Sequence, residues 1–196
     1  YTAEGYARKE LDFCFGEHEQ DLAADARRGM REIFGLEPDI VRQGNSALHL
    51  IYFSQPLARF FSAHCGQGAH HKHVPSFLFE APREYFIEFL RGLFRGDGYQ
   101  DSHGRLEITS VSRQLVLELN WLCRMHGIKS YISSFTAREG RRIRGGKPLR
   151  KTVAYRLGIG KGSNPFLEAA ARGSDRSWRP VVTAVRRLPF DGYVYD

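Results

Sequence analysis

An acid followed by glycine and tyrosine occurs twice in this chain, at Glu4-Gly5-Tyr6 and Asp97-Gly98-Tyr99, and the segments after each copy run in the same order. A strand-forming stretch comes first, Lys9 to Phe15 in one half and Arg105 to Ile108 in the other. An amphipathic helix comes next. In the first half it spans about Glu19 to Phe34, with Leu22, Ala26, Met30 and Ile33 at helical spacing and Gly35 as its stop. In the second it spans about Arg113 to His126, with Ser112 as N-cap, Gly127 as stop and Leu115, Leu119, Leu122 and Met125 as its apolar face. Gly35 lies 31 positions after Glu4 and Gly127 lies 30 after Asp97. Both halves then offer two more strands, Ile40 to Val41 and Ala47 to Phe53 against Ser130 to Ser134 and Thr152 to Ile159. Each next shows a serine-proline helix start, Ser54-Gln55-Pro56 and Ser163-Asn164-Pro165, and then a proline-containing segment, Lys72-His73-Val74-Pro75 or Ser177-Trp178-Arg179-Pro180. A chain ordered this way is held to two like halves, at a period much longer than that of solenoid repeats.

The second acid is the penultimate residue of the nonapeptide Leu90-Arg91-Gly92-Leu93-Phe94-Arg95-Gly96-Asp97-Gly98, which reads as the close of an apolar helix. A carboxylate in a last helical turn meets the partial negative charge of unpaired carbonyls, an unfavourable place for it. Two accounts stand open from the residues alone. The helix simply stops there, with Gly98 as a left-handed cap, or a bound cation removes the penalty. Gly92 and Gly96, one turn apart, bare one face and allow another backbone to approach closely, as small residues do in membrane helix pairs.

At 196 residues, 42% of them hydrophobic, the chain can bury one good-sized core or two small ones, which excludes a disordered tail. A formal charge of +7 makes an acidic partner the natural one, nucleic acid most commonly. Cys14, Cys65 and Cys123 are scattered and odd in number, so neither a disulfide framework nor a thiolate zinc site is indicated, and a reducing compartment is expected. The grouping His64, Cys65, His70, His71 and His73 has zinc-ligand residue types, but its spacing matches no standard arrangement and argues against zinc. No apolar run is long enough to span a membrane and no signal peptide is visible. The expected setting is the cytoplasm, with the nucleoid in a prokaryotic host.

Leu90, Gly92, Leu93, Asp97 and Gly98, together with the second acid-glycine-tyrosine at Glu4, carry a resemblance. The chain resembles the LAGLIDADG homing endonucleases, specifically the two-motif, single-chain type found inside inteins, with only the tail of the first motif present. That resemblance implies an α+β fold: pseudo-twofold duplicated αββαββα units with curved antiparallel DNA-binding sheets, the motif helices packed at the centre through Gly92 and Gly96. The first subdomain would take residues 1–80 and the second 81–184. It also implies a monomer with internal pseudo-dimer symmetry that cuts double-stranded DNA at a long site for intein homing. A non-cleaving DNA-binding relative and an RNA maturase are the alternatives.

By the same resemblance Glu4 and Asp97 are the metal-binding acids, one per half, for Mg²⁺ or another divalent cation such as Mn²⁺. Such an ion neutralises developing charge and activates water, and a few carboxylates suffice to hold Mg²⁺. Lys72, in its Lys-x-x-Pro segment 25 positions before Asp97, would be the catalytic lysine. Its counterpart in the second half is Ser177, flanked by Arg176 and Arg179, so the two strand cleavages are expected to be unequal unless an arginine substitutes. Arginine can stabilise charge but cannot relay a proton.

Polar residues placed to meet DNA are Arg8, Lys9, Arg42, Gln43, His49, Arg105, Glu107, Lys129 and Arg156. Arg42 and Gln43 are favoured for base reading, because those side chains suit bidentate contacts in the major groove. The basic, glycine-rich run holding Arg141, Arg142, Arg144, Lys147, Arg150 and Lys151 reads as a hairpin tip or loop along DNA, or equally as a solvated loop. At the end, Gly192-Tyr193-Val194-Tyr195-Asp196 is similar to the segment with which an intein re-enters its splicing domain, so residues 185–196 are assigned to that segment and a splicing domain is expected in cis. The terminal His-Asn and an N-terminal Cys or Ser nucleophile are missing, and splicing by this chain is not expected.

Overall fold

The computed structural model describes residues 1–2, 5–7, 9–43, 47–137 and 152–167. Among them the first half runs β1 (Gly5–Ala7), β2 (Leu11–Gly16), α1 (Gln20–Phe34), β3 (Asp39–Gln43), β4 (Ala47–Tyr52) and α2 (Gln55–Cys65). Then come α3 (Arg83–Asp97), β5 (Gly98–Gln100), β6 (Leu106–Ser110), α4 (Arg113–Met125), β7 (Ser130–Ala137) and β8 (Thr152–Ile159). The strands form two four-stranded antiparallel sheets, ordered β1-β2-β4-β3 and β5-β6-β8-β7. The order is the same in both, so the duplication legible in the sequence is a duplication of topology.

Local chemistry accounts for the helix ends. α1 stops where Gly35 turns left-handed at φ 68°, and Gly127 does the same after α4 at φ 73°. Ser112 caps α4 by accepting the Leu115 amide at 3.2 Å, and Ser54 accepts the Leu57 amide to open α2 with Pro56 in its first turn. β1 and β5, three residues each, start directly at the glycine after each acid. No sequence pattern marks them, since three residues are too few to show alternation.

Two helical faces differ from expectation. Ile33 is 74% exposed and Met125 is 52% exposed. In α1 the buried stripe runs through Ala23 and Met30, and the last turn makes its contact through Phe34, whose ring packs edge-on against Phe61. In α4 it runs through Leu115, Val116, Leu119, Leu122 and Cys123, and His126 continues it by stacking on Phe86. Neighbouring residues on a helix point about 100° apart, so a contact taken up by Phe34 or His126 leaves Ile33 or Met125 outside.

Each half has its own core. Leu11, Phe13 and Phe15 of β2 and Leu48, Leu50 and Tyr52 of β4 face α1 and α2. Leu106, Ile108, Leu157 and Ile159 of the second sheet face α3 and α4, and this core also takes in Val74 and Leu78 from the connecting segment. Leu119 is fully buried at its centre. Leu119→Ala is expected to cost about 3 kcal/mol of stability, because a cavity is left where the structure relaxes only partly. Chaotrope unfolding checks this, and a loss below about 1 kcal/mol would mean a core less tightly filled than described.

The alternate residues make an outward face on each sheet. On the first it carries Asp12, Cys14, His49 and Gln43, and on the second Tyr99, Glu107, Arg156, Tyr131 and Phe135.

Candidate active site

The motif helix α3 turns Phe86, Ile87, Leu90, Leu93 and Phe94 into the second core. Its glycine side is bare: a Cβ at Gly92 would meet nothing within 4 Å. Gly92 and Gly96 line a cleft of about 270 Å³ whose other walls are Tyr1 and residues of β2 and α1. Arg95 crosses from α3 to Asp25 of α1 at 2.6 Å. The glycine face is therefore turned toward the first half of the chain.

Asp97 is the last helical residue and Gly98 the first of β5, with no loop between them. Gly98 is not a left-handed cap. Its backbone is extended at φ −88° and ψ 157°. The glycine is required by closeness instead, because a Cβ there would lie 2.4–2.6 Å from atoms of Phe94. The same turn occurs at the start of the chain: Gly5 donates its amide to the Tyr1 carbonyl at 2.7 Å, as Gly98 does to that of Phe94. A Cβ at Gly5 would collide with Tyr1 in the same way. Glu4 itself lies outside the described residues.

Lys72 reaches the first of these turns. It is only 7% exposed, and its Nζ donates to the carbonyls of Gly5 at 2.6 Å and Tyr1 at 2.8 Å, on either side of Glu4 in the chain. The ammonium also sits 4.0 Å from the centre of the Tyr1 ring, a cation–π contact. Its own backbone belongs to the other half: Ser112, the cap of α4, donates its hydroxyl to the Lys72 carbonyl at 2.5 Å. Two residues on, the Val74 amide donates to Glu118 Oε2 at 2.8 Å.

Burial by surrounding protein pushes the Asp97 carboxyl above its usual range, the positive charge of Lys72 opposes that shift, and the negative charge of Glu19 adds to it. Asp97 is nonetheless exposed to solvent as a residue, so its crowding is one-sided. The site is therefore a crowded, partly open acid, a second acid within electrostatic reach, and one buried cation. Glu19 is the residue that sequence reasoning misses. It sits at the start of α1 but makes no side-chain cap there; its Oε2 accepts the Gly16 amide at 2.5 Å. A glutamate before a helix reads as ordinary first-turn chemistry, so no local signal marks it.

The remaining expected residues divide. Lys9 and Lys129 are exposed beside β2 and β7. Arg42 and Gln43 do not share a face: in register Arg42 sits opposite Leu48, on the core side, and Gln43 opposite Ala47, on the outward side. Period-two alternation forbids both from reading one groove together. His49 faces outward and is engaged by Asp12 at 3.0 Å. Arg105 pairs with Asp101 at 2.7 Å, which holds the Asp101 carboxyl below its usual range. Arg156 lies between Glu107, 3.5 Å away, and the Phe135 ring, 5.1 Å from its centre. Arg8, Arg141, Arg142, Arg144, Lys147, Arg150, Lys151, Arg176, Ser177 and Arg179 lie outside the described residues, as does the C-terminal segment.

The histidine grouping does not converge. His64 packs between the rings of Phe60 and Phe77, and His73 donates through Nδ1 to the Val74 carbonyl at 3.1 Å. Among the described residues no cluster of three or more His, Cys, Asp or Glu is arranged to hold a metal. None of the described helices is long and apolar enough to cross a membrane.

Residues 84–161 match the family model described as a LAGLIDADG-like domain. The homing endonuclease I-DmoI, solved in complex with DNA and Mn, superposes with a TM-score of 0.51 at 16% identity, covering 80% of each chain. Among curated proteins, 135 residues are 29% identical to uncharacterized protein MJ1054 of Methanocaldococcus jannaschii, and 141 residues are 32% identical to the DNA polymerase II large subunit of Thermococcus kodakarensis. These matches take in 65% and 67% of this chain but only 15% and 8% of the two relatives.

Proposed function

We propose, from the LAGLIDADG fold and the acid–lysine centre it builds, that this chain is a site-specific, metal-dependent endonuclease of double-stranded DNA, derived from an intein. The observation that carries the reading is Lys72, whose Nζ bonds the carbonyls flanking Glu4 while its charge acts on Asp97.

Glu4 and Asp97 would hold the divalent ion, Mg²⁺ or Mn²⁺. The donor set suits it: hard carboxylate oxygens, one of them in a crowded setting that disfavours its charge and to which a cation would restore balance. A bound ion of this kind supplies charge neutralisation and an activated water. The chain's own groups do the rest. Lys72 keeps a fixed positive charge beside the place where a phosphate's negative charge would grow. The turn at Gly98 holds Asp97, and the bare side of α3 at Gly92 and Gly96 would admit the first motif. The two sheets, one per subdomain, would lay their outward faces on DNA. Phosphate contacts there supply affinity, and Gln43 and Arg156 are the outward residues suited to base edges.

Incubating the protein with a randomised plasmid library in Mg²⁺, with EDTA as control, tests the reading. Sequence-restricted, EDTA-sensitive double-strand breaks are expected. Binding of duplex DNA without cleavage would select the non-cleaving alternative, and preference for structured RNA the maturase. Because Ser177 takes the place of Lys72 in the second copy of the repeat, one strand should be nicked at least several-fold faster than the other. A time course on a substrate labelled on both strands reads this directly, and equal rates would argue against any functional asymmetry.

A further inference from the structure

On the outward face of the first sheet, three residues to which the endonuclease reading gives no part in the chemistry line up across β2 and β4. His49 Nδ1 lies 3.1 and 3.0 Å from the two oxygens of Asp12, and His49 Nε2 lies 3.7 Å from the sulfur of Cys14. A carboxylate can only accept, so Nδ1 carries a proton, and in the neutral ring Nε2 is left as an acceptor aimed at the thiol. The order is nucleophile, base, orienting acid, each within hydrogen-bond reach of the next, the arrangement by which a side chain is activated as a nucleophile. Register fixes it: Cys14 stands directly opposite His49, Asp12 is the next outward residue along β2, and Val41 of β3 fills the other side of the histidine with an uncharged wall. The Asp12–His49 pair is mostly shielded, with side-chain exposures of 23% and 21%, whereas Cys14 is exposed. The histidine cannot join Asp12 and Cys14 around one metal, because it turns opposite nitrogens to them.

We propose that Cys14 is a base-activated thiol and a modification site, taking small soft electrophiles, peroxides among them. Nε2 of His49 accepts the thiol proton and the sulfur attacks one peroxide oxygen. The S–O bond forms as the O–O bond breaks, the thiol is oxidised to a sulfenic acid, and the leaving hydroxide takes the proton from His49 to become water. The other two cysteines provide a reference within the chain. Cys65 and Cys123 are buried, and burial pushes both thiols up, that of Cys123 to about 12. Modification at Cys14 would add bulk to the face proposed to meet DNA. That consequence rests on the endonuclease reading, whereas the reactivity itself does not and is measured without DNA.

The experiment is limited alkylation of the whole chain with iodoacetamide at neutral pH, followed by peptide mass spectrometry. Cys14 should label about fivefold to tenfold faster than glutathione under the same conditions, with Cys65 and Cys123 slow. His49→Gln should bring the Cys14 rate down to that of glutathione, and Asp12→Asn should lower it several-fold. After mild hydrogen peroxide, dimedone should tag the wild-type protein and not Cys14→Ser. A wild-type Cys14 rate equal to that of glutathione would overturn the proposal whatever the variants do, as would a dimedone tag that survives Cys14→Ser.

Discussion

Asp97→Asn is expected to lower cleavage by at least about a thousandfold, the scale of losing charge stabilisation that a reaction depends on, while leaving the fold at least as stable as before. The sign comes from the raised carboxyl. A group whose proton is held more tightly in the folded state contributes stability at pH below its unfolded value and loses that contribution as pH rises through the folded value. At neutral pH ionised Asp97 is therefore on the penalised side, mainly through burial. Asparagine, which has the shape of the neutral acid, escapes the penalty. Thermal melting and cleavage measured on the same preparation separate the two effects. Mg²⁺ should raise the melting temperature of the wild type and not of the variant. A variant that melts well below the wild type would show Asp97 to be a structural residue, and one that still cuts would remove it from the site.

Lys72→Met is expected to act in the opposite sense on stability and in the same sense on activity. The wild-type ammonium bonds two carbonyls from a nearly buried position. Methionine fills the space and leaves those carbonyls without that donor, a cost of about 1–3 kcal/mol once the relief of burying no charge is set against it. Cleavage should fall by about a hundredfold or more, since a fixed charge at the phosphate is gone. Asp97 supplies a further readout. Lys72 opposes the upward shift of its carboxyl, so in the variant that carboxyl should titrate at higher pH. A carboxyl resonance followed by NMR through an acid titration checks this. An unchanged Asp97 titration would mean that Lys72 does not face the acid.

The parts of this fold that can be seen in the chain are those made by neighbours in sequence. Gly35 and Gly127 end their helices because a residue without a Cβ takes the left-handed turn at little cost, and Ser112 opens α4 by bonding an amide three residues on. The repeated order around Glu4 and Asp97 predicts two halves of one plan, and the two sheets have the same strand order. Periodicity alone points Ile33 and Met125 inward, and both are exposed. A period narrows the buried stripe to one side of a helix, but which residue closes its last turn depends on what lies opposite. Arg42 and Gln43 are alike as base readers in the chain, and only register sets them on opposite faces.

The sequence by itself determined the duplicated order, the helix ends and the residue types that could carry a metal, because spacing, capping and charge are written in consecutive positions. The tertiary structure alone decided the rest. It brought Lys72 to carbonyls 67 and 71 residues away, set Glu19 within reach of Asp97, and aligned Cys14, His49 and Asp12 across two strands. It also revealed that Gly98 is needed for a close approach to Phe94 and not for an unusual backbone angle. The Lys72, Glu19 and His49 placements each depend on a distance between residues far apart in the chain, and such distances come from how strands pair and elements pack.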